Sequence, residues 1–422
     1  MQVLIFSSLF PNSANPAHGI FVYQRMSHFA CRPGNHVIAV APVPYSPRWF
    51  RPSKRYVSTL VPKEERIGGL TTYHPRYPLL PMVSMPLHGW LMLLGTFPLV
   101  RRLHRQNKFD CIDAHYVYPD GFAAALLGKL LSLPVIVSAR GTDINLFPSF
   151  RLIRPMIRWT LRNVAGAVAV STGLRDAILR LGLSREGVQV IGNGVDLKRF
   201  SSVDRAAARD YLGLPKDAQI VVSVGGLVEA KGHHHLIIAL SAILPRHPKL
   251  KAYIIGEGPS RCRLESLICA RGLQNQVVLK GAQAHEQLKF WYSAANLSCL
   301  TSSREGCPNV ILESMACGTP VLATGVGAVP ELIAYPEVGL IVDQNVNSIV
   351  SGLETALNTP WDRAVIERYA HQRTWEKVAA ELEDWFNSRL KPPSLSTIGD
   401  AALSQPSGVV AHSSDHTTGS PV

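Results

Sequence analysis

The 422 residues, 46% of them hydrophobic with a mean hydropathy of +0.10, suit a soluble globular protein with two domains of ordinary size. Seven cysteines without a close-spaced pair exclude a cysteine metal cluster and read as reduced thiols in a cytosolic protein. The formal charge of +13 is uneven: residues 1–195 carry 22 Lys and Arg against 8 Asp and Glu, the rest 21 against 22, so an anionic partner (membrane, nucleic acid or phosphorylated substrate) is expected at the first half.

In chain order, MQVLIFSSLF lacks a basic leader region and a cleavage site and reads as a first buried strand. HVIAVAP, DCIDA, LPVIVSA and GAVAVS follow as continuous apolar runs, the mark of parallel strands buried on both faces. Between them, residues 87–105, LHGWLMLLGTFPLVRRLHR, are apolar for too short a stretch to span a bilayer and end in a basic cluster. Residues 147–163 set Arg151, Arg154, Arg158 and Arg162 on one helical face, interleaved with Phe150, Ile153, Ile157 and Trp159. Both segments suit either adsorption to anionic headgroups, where each near-surface cation contributes about 1 kcal/mol, or ordinary packed helices with a solvated basic rim. Asn193 and Gly194 read as a tight turn at a break near residues 194–204. A second series, QIVVSVG, KAYIIGEG, QVVLKG, LSCLTS and TPVLAT, repeats the first pattern. The expected fold is therefore α/β: two doubly wound Rossmann-like domains, residues 1–195 and 196–374, with ligand loops at the carboxyl ends of their strands. The amphipathic helix at 375–390 follows, and the Ser-, Pro- and Gly-rich stretch 391–422 is expected to be disordered.

Residues 301–331, TSSREGCPNVILESMACGTPVLATGVGAVPE, carry the chemistry. Pro308 suits the first turn of a helix, leaving the N–H groups of Asn309 and Val310 free to meet a phosphate. Glu305 lies in the loop ahead of that helix end and Glu313 about one turn inside it. Phosphate donors flanked by two carboxylates that accept hydroxyl hydrogens are what a nucleotide sugar requires.

This segment resembles the donor-site signature of glycosyltransferase family 4, retaining and metal-independent enzymes of the GT-B fold, among them exopolysaccharide and teichuronic-acid biosynthesis transferases. FPNSANPAHGIFVYQR, residues 113–144, IGNGVDLKRF, VSVGGLVEAKGHHHLIIAL and IIGEGP resemble further motifs of that family in the expected order, from residue 1 to about 390. The resemblance implies a central cleft between an acceptor-binding first domain and a nucleotide-sugar-binding second domain, with helix 375–390 crossing back to the first. It implies Glu313 on the nucleotide ribose, Glu305 on the donor sugar and Lys231 on the diphosphate, where its charge would stabilise the departing nucleoside diphosphate. His115, at the carboxyl end of a strand, is placed beside the transfer centre. Gly19 would admit the donor phosphates to the first loop without a Cβ clash. Gly226, Gly256, Glu257 and Gly306 join Asn309 and Val310 as donor-binding positions; Arg140 is a candidate acceptor contact, and Asp143 is either an acceptor contact or loop architecture. Asp120 reads as a turn or helix cap.

The chain departs from the family at Gly225-Gly226-Leu227, where an arginine usually precedes the leucine; Arg304 is a possible substitute. Adjacent residues on a helix point apart, so His233, His234 and His235 read as a helix start rather than a metal site. No Asp-x-Asp pair and no Walker-type loop is present, so neither metal nor other cofactor is expected and an NTPase is excluded. The basic half lacks a recognisable nucleic-acid module. The expected activity is retaining transfer of a sugar from a nucleoside-diphosphate donor to a lipid-linked or polysaccharide acceptor in cell-surface glycan assembly. Its expected place is cytoplasmic, peripheral to the inner face of the plasma membrane. The rivals are a GT-B nucleotide-sugar epimerase, which would convert donor alone, and an inactive donor-binding scaffold.

Overall fold

In the computed structural model, which describes residues 1–45, 60–79 and 85–390, the apolar runs of each half form a separate sheet. The first half contributes β1 (Gln2–Phe6), β2 (His36–Val40), β3 (Val43–Tyr45), β4 (Glu64–Ile67), β5 (Leu70–Tyr73), β6 (Arg76–Pro78), β7 (Cys111–His115), β8 (Val135–Ala139), β9 (Gly166–Ala169) and β10 (Val188–Val190). Eight of these make one sheet in the order β10-β9-β8-β7-β1-β2-β5-β4, parallel except for β4. The second half contributes β11 (Gln219–Val224), β12 (Leu250–Ile255), β13 (Val277–Gly281), β14 (Leu297–Leu300), β15 (Val321–Thr324) and β16 (Gly339–Val342). These form an all-parallel sheet in the order β13-β12-β11-β14-β15-β16. Every apolar run read above as a strand is one of these strands. The unanticipated ones are short or polar: β4 reads EERI, β10 reads VQV, and β3 and β6 pair only with each other.

The strand order reverses at β1 in the first sheet and at β11 in the second. Ligand loops open at such reversals, outside the carboxyl ends of the strands. Here those loops are residues 7–19 after β1, His115 at the end of β7, Arg140 after β8, Gly225 and Gly226 after β11, and residues 301–308 after β14.

Residues 191–195 and 370–375 carry the chain between the halves. Asn193 and Gly194 form no turn; they run alongside the return crossing, where Val195 bridges Thr374. A Cβ at Gly194 would lie 2.6 Å from the Trp375 nitrogen, so the glycine permits two backbones to cross. The helix Trp375–Leu390 then packs on the first sheet beside Ile20–Ala30, burying Trp375, Val378, Leu382 and Phe386 among Val3, Ile5, Met26 and Phe29. Arg32 and Asn35 both bind Glu383 (2.5 and 2.8 Å) and fix its position. Phe386→Ala leaves a cavity under the first sheet and is expected to lower stability by about 3–5 kcal/mol, read as a lower denaturant midpoint for the first-half transition. The expectation of disorder past residue 391 lies outside the described residues.

Candidate active site in the interdomain cleft

A cavity of about 510 Å³ opens between the carboxyl edges of the two sheets. Its second-domain wall is the loop after β14 and the helix Asn309–Ala316. Pro308 is one position earlier than expected: with ψ at 111° it caps the helix, and Asn309 is the first helical residue. The first N–H groups of a helix have no intrahelical acceptor, and here they belong to Asn309 and Val310, both on the cavity wall.

Glu313, one turn further, is nearly buried and lines the same cavity. His285 Nε2 donates to its Oε1 (3.3 Å), and the Tyr292 hydroxyl donates to its Oε2 (3.2 Å). Arg199 Nη1 donates to His285 Nδ1 (2.8 Å), which leaves the ring proton on Nε2, facing Glu313. Burial and the adjacent Glu313 hold the Tyr292 phenol well above its ordinary pKa, so it remains a donor. His285 and Tyr292 escaped the sequence reading. Their only local signal is an ordinary polar loop and an amphipathic helix; Glu313 is 28 and 21 residues away.

Glu305 and Lys231 are not separate contacts but a pair. Lys231 Nζ donates to Glu305 Oε1 at 2.6 Å, and Ser302 Oγ donates to the same oxygen at 2.6 Å. Glu305 is 9% exposed and Lys231 27%, so the ammonium has the more open side of the pair. Gly226 lies opposite, and a Cβ there would meet nothing nearer than the Glu257 carbonyl oxygen at 3.8 Å. The place of the missing arginine is an open space.

Several expected contacts lie elsewhere. Glu257 turns away from the cleft and pairs with Arg261 (2.8 Å). Gly256, at φ +148°, serves shape: its Cβ would fall 2.0 Å from the Gly225 carbonyl oxygen. At Gly19 a Cβ would strike the Leu9 carbonyl at 2.3 Å, so that glycine fits the first loop to itself. Ala17, Ile20 and Phe21 form the adjoining cavity wall. Asp143 is fully buried and receives the backbone N–H groups of Val117, Arg140 and Gly141 at 2.8–3.0 Å, which makes it loop architecture rather than an acceptor contact. Asp120 binds the Ser8 backbone and hydroxyl, tying the first loop to the β7 loop. Arg304 lines a neighbouring cavity of about 140 Å³ with Thr142 and Asn145, beyond the Arg140–Gly306 contact. His233 is buried beside Ser223, while the half-buried His234 and His235 rings lie tilted against each other.

His115 is completely buried and does not line the cleft. Arg140 lies over it: Nη2 donates to His115 Nδ1 at 2.5 Å, and His115 Nε2 stands 3.0 Å from Asp113 Oδ2, off the direction of a good hydrogen bond. Arg140, not His115, reaches the cavity wall. Burial holds the His115 pKa down at about 4, with Asp113 opposing and Arg140 adding to the shift. Burial does the same to His88 and His233, both at about 4. The unfolded chain protonates such residues near pH 6.5. Below that pH the unfolded state binds more protons than the folded one, so stability falls as the pH drops from about 6.5 to 4. Asp120, raised to about 7 by burial, acts in the opposite sense and offsets part of the loss. The net expectation is a loss on the order of several kcal/mol between pH 7 and 4.5, read by thermal denaturation. His115→Gln should make the fall shallower whatever it does to absolute stability.

The two domains touch at this site. A Cβ at Gly306 would stand 2.0 Å from the Arg140 carbonyl oxygen, and one at Gly141 3.3 Å from Gly306 Cα. Glu331 accepts from the Thr172 nitrogen (2.8 Å) and hydroxyl (2.7 Å) across the same interface. Asn193 receives Arg140 Nη1 (3.3 Å) and donates to Asn309 Oδ1 (2.7 Å), linking first domain, crossing and helix end.

Comparison with known proteins accords with this geometry. The pattern described as Glycosyl transferases group 1 matches residues 204–373, and that of Glycosyltransferase Family 4 matches residues 45–199. A D-inositol 3-phosphate glycosyltransferase of Thermobispora bispora is 30% identical over 315 residues, covering 68% of this chain and 73% of its own. The chain belongs to the group 1, family 4 glycosyltransferases. TuaC of Bacillus subtilis (strain 168), named for teichuronic acid biosynthesis, is 25% identical over 389 residues, 90% of this chain and 92% of its own. The GT-B fold of this glycosyltransferase is shared with sucrose-phosphate synthase of Thermosynechococcus elongatus (TM-score 0.72, 23% identity, 92% of this chain and 98% of that one). Anabaena HepE, solved with UDP-glucose, gives a TM-score of 0.69 at 20% identity, covering 92% and 99%. As a family 4 glycosyltransferase the protein is a transferase of class EC 2.4 acting on nucleotide sugars.

Proposed function

We propose that the protein transfers a sugar, with retention of anomeric configuration and without a metal, from a nucleoside diphosphate to a lipid-linked or polysaccharide acceptor in cell-surface glycan assembly. The observation that carries the donor half is the single wall on which Lys231, the Asn309–Val310 helix end and Glu313 converge. The diphosphate lies against the helix end and Lys231, the ribose hydroxyls on Glu313, and the sugar toward Glu305 and the first domain. A protein of the same fold, HepE, was solved with UDP-glucose, which supports a nucleotide-sugar donor. For retention, the support is the chain's place in family 4, and both cavity carboxylates are hydrogen-bonded. Glu305 is engaged by Lys231 and Ser302, and Glu313 by His285 and Tyr292. Both contacts on Glu305 fall on Oε1, which leaves Oε2 for a donor-sugar hydroxyl; we take the route to be same-face attack, with the leaving phosphate accepting the acceptor proton. Closure of the domains would limit hydrolysis of the donor.

The acceptor half rests on the first-domain surface. Leu87, Trp90 and Leu94 (70% exposed) form one outer stripe near the start of helix His88–Asn107, with Phe150 and Leu152 (69% exposed) on a neighbouring loop. Arg101, Arg102 and Arg105 continue the stripe, and Arg151, Arg154, Arg158 and Arg162 are all exposed. Ile153 and Ile157, expected among them, are buried in the core instead. Among the described residues no helix is long and apolar enough to cross a membrane. The surface fits adsorption to the anionic cytoplasmic face of a bilayer, which would bring the cleft to a lipid-linked acceptor. Full-length protein should sediment with anionic vesicles at low salt, and Arg151→Glu with Arg158→Glu should weaken this about tenfold or more, at about 1 kcal/mol for each charge lost. No sedimentation would remove the membrane role.

A thermal-shift screen of the purified chain against nucleoside-diphosphate sugars tests the donor reading, because a ligand of the folded state raises its melting temperature. Conversion of donor alone would indicate the epimerase. The anomeric configuration of the product decides retention.

A further inference from the structure

We propose that Arg140 is the second cation of the donor diphosphate site, supplied across the cleft by the first domain; this rests on the donor placement above. The argument begins with charge. Of the described residues lining the donor cavity, only Lys231 and Arg140 carry a fixed positive charge, and Glu305 and Glu313 already balance them. Lys231 is directly paired with Glu305. A nucleoside diphosphate adds further negative charge, and the leaving group gains more as the glycosidic bond breaks. The open space at Gly226 offers no help from the second domain.

Arg140 is placed and primed for this. Its guanidinium lies over the Phe21 ring at 5.2 Å and bonds Asn193, and both of those residues line the donor cavity. Its partners through nitrogen are the neutral acceptors His115 Nδ1 and Asn193 Oδ1; no carboxylate among the described residues pairs with it. Two of its five N–H groups are thereby used, and buried Nε has no partner. A nearly buried guanidinium with no carboxylate in contact, only Asp113 and Asp143 further off, is costly to keep, and an incoming phosphate would offset that cost. Asp113 and His115 are positioning residues: the ring supplies an acceptor that orients the guanidinium, and Asp113 lies behind the ring.

The placement also links charge to closure. Arg140 belongs to the first domain, yet its carbonyl oxygen abuts Gly306, and Asn193 joins its guanidinium to Asn309 at the helix end. Shutting the cleft brings the second cation to the diphosphate, and opening it withdraws that cation and lets the product leave.

The test uses the full chain and a cycle of Arg140→Gln and Gly226→Arg, with affinities for UDP, GDP and ADP and for their monophosphates. For the nucleotide the wild type prefers, Arg140→Gln is expected to weaken the diphosphate about tenfold and the monophosphate less than threefold, with kcat falling about a hundredfold. Adding Gly226→Arg should restore about tenfold in the Arg140→Gln background. Equal losses for diphosphate and monophosphate, or no rescue, would overturn the assignment. Should Arg140→Gln fail to fold, Arg140→Lys keeps the charge but not the fork. It is expected to lose about threefold and regain it with Gly226→Arg, and no loss would overturn the proposal. A wild type that binds none of the three diphosphates ends the donor placement itself. Wild-type binding that survives Arg140→Gln intact ends only the role of Arg140.

Discussion

Lys231→Ala is expected to lower kcat/KM by about a hundred- to a thousandfold, about 3–4 kcal/mol of transition-state stabilisation. The ammonium sits 2.6 Å from Glu305 and lines the donor cavity. One of its three N–H groups is used by that carboxylate, and the others remain for phosphate oxygens. Negative charge grows on the diphosphate as the glycosidic bond breaks, so the loss should fall mainly on kcat, with a smaller rise in KM. The mutation also leaves Glu305 with Ser302 as its hydrogen-bond partner, a nearly buried carboxylate with its counter-charge removed. Lys231→Ala with Glu305→Gln separates the two effects: the second change relieves any loss of stability but leaves turnover low. Steady-state kinetics and thermal denaturation of both variants provide the check. Turnover equal to wild type would remove Lys231 from the site.

Gly306→Ala is expected to lower kcat about a hundredfold while lowering nucleoside-diphosphate affinity by no more than the about tenfold that withdrawal of Arg140 would cost. The added methyl would fall 2.0 Å from the Arg140 carbonyl oxygen, and both partners are backbone, so no side-chain rotation relieves the clash. The domains must separate by an ångström or more, and misplacement of that size can cost about a hundredfold in rate. Lys231, Glu313 and the Asn309–Val310 helix end all belong to the second domain, so much of the nucleotide contact survives. Kinetics with calorimetric nucleotide binding reads the difference, and small-angle scattering reads the wider cleft. Loss of affinity equal to the loss of rate would mean that Gly306 shapes the nucleotide pocket itself.

The parallel strands were legible because burial on both faces leaves a local mark, a continuous apolar run that needs no knowledge of its neighbours. The same holds for residues 305–313, where Pro308 announces a helix start and one turn separates that start from Glu313. The reading was out by one residue at Pro308, since a proline suits the cap as well as the first turn. IIGEGP was also legible as a motif, but a motif does not say which way a side chain points. Gly256 and Gly258 are required because they press on the backbone of residues 225–227, whereas Glu257 between them faces Arg261 and solvent.

Sequence alone determined the α/β class, the two sheets, the family and the helix end ahead of Glu313, because each is written in residues close together along the chain. Tertiary structure decided which groups share the cleft. It buried His115 beneath Arg140, paired Lys231 with Glu305 across 74 residues, and set His285 on Glu313. Such pairings depend on strand order and on the angle at which two sheets meet, and no local pattern of side chains encodes either.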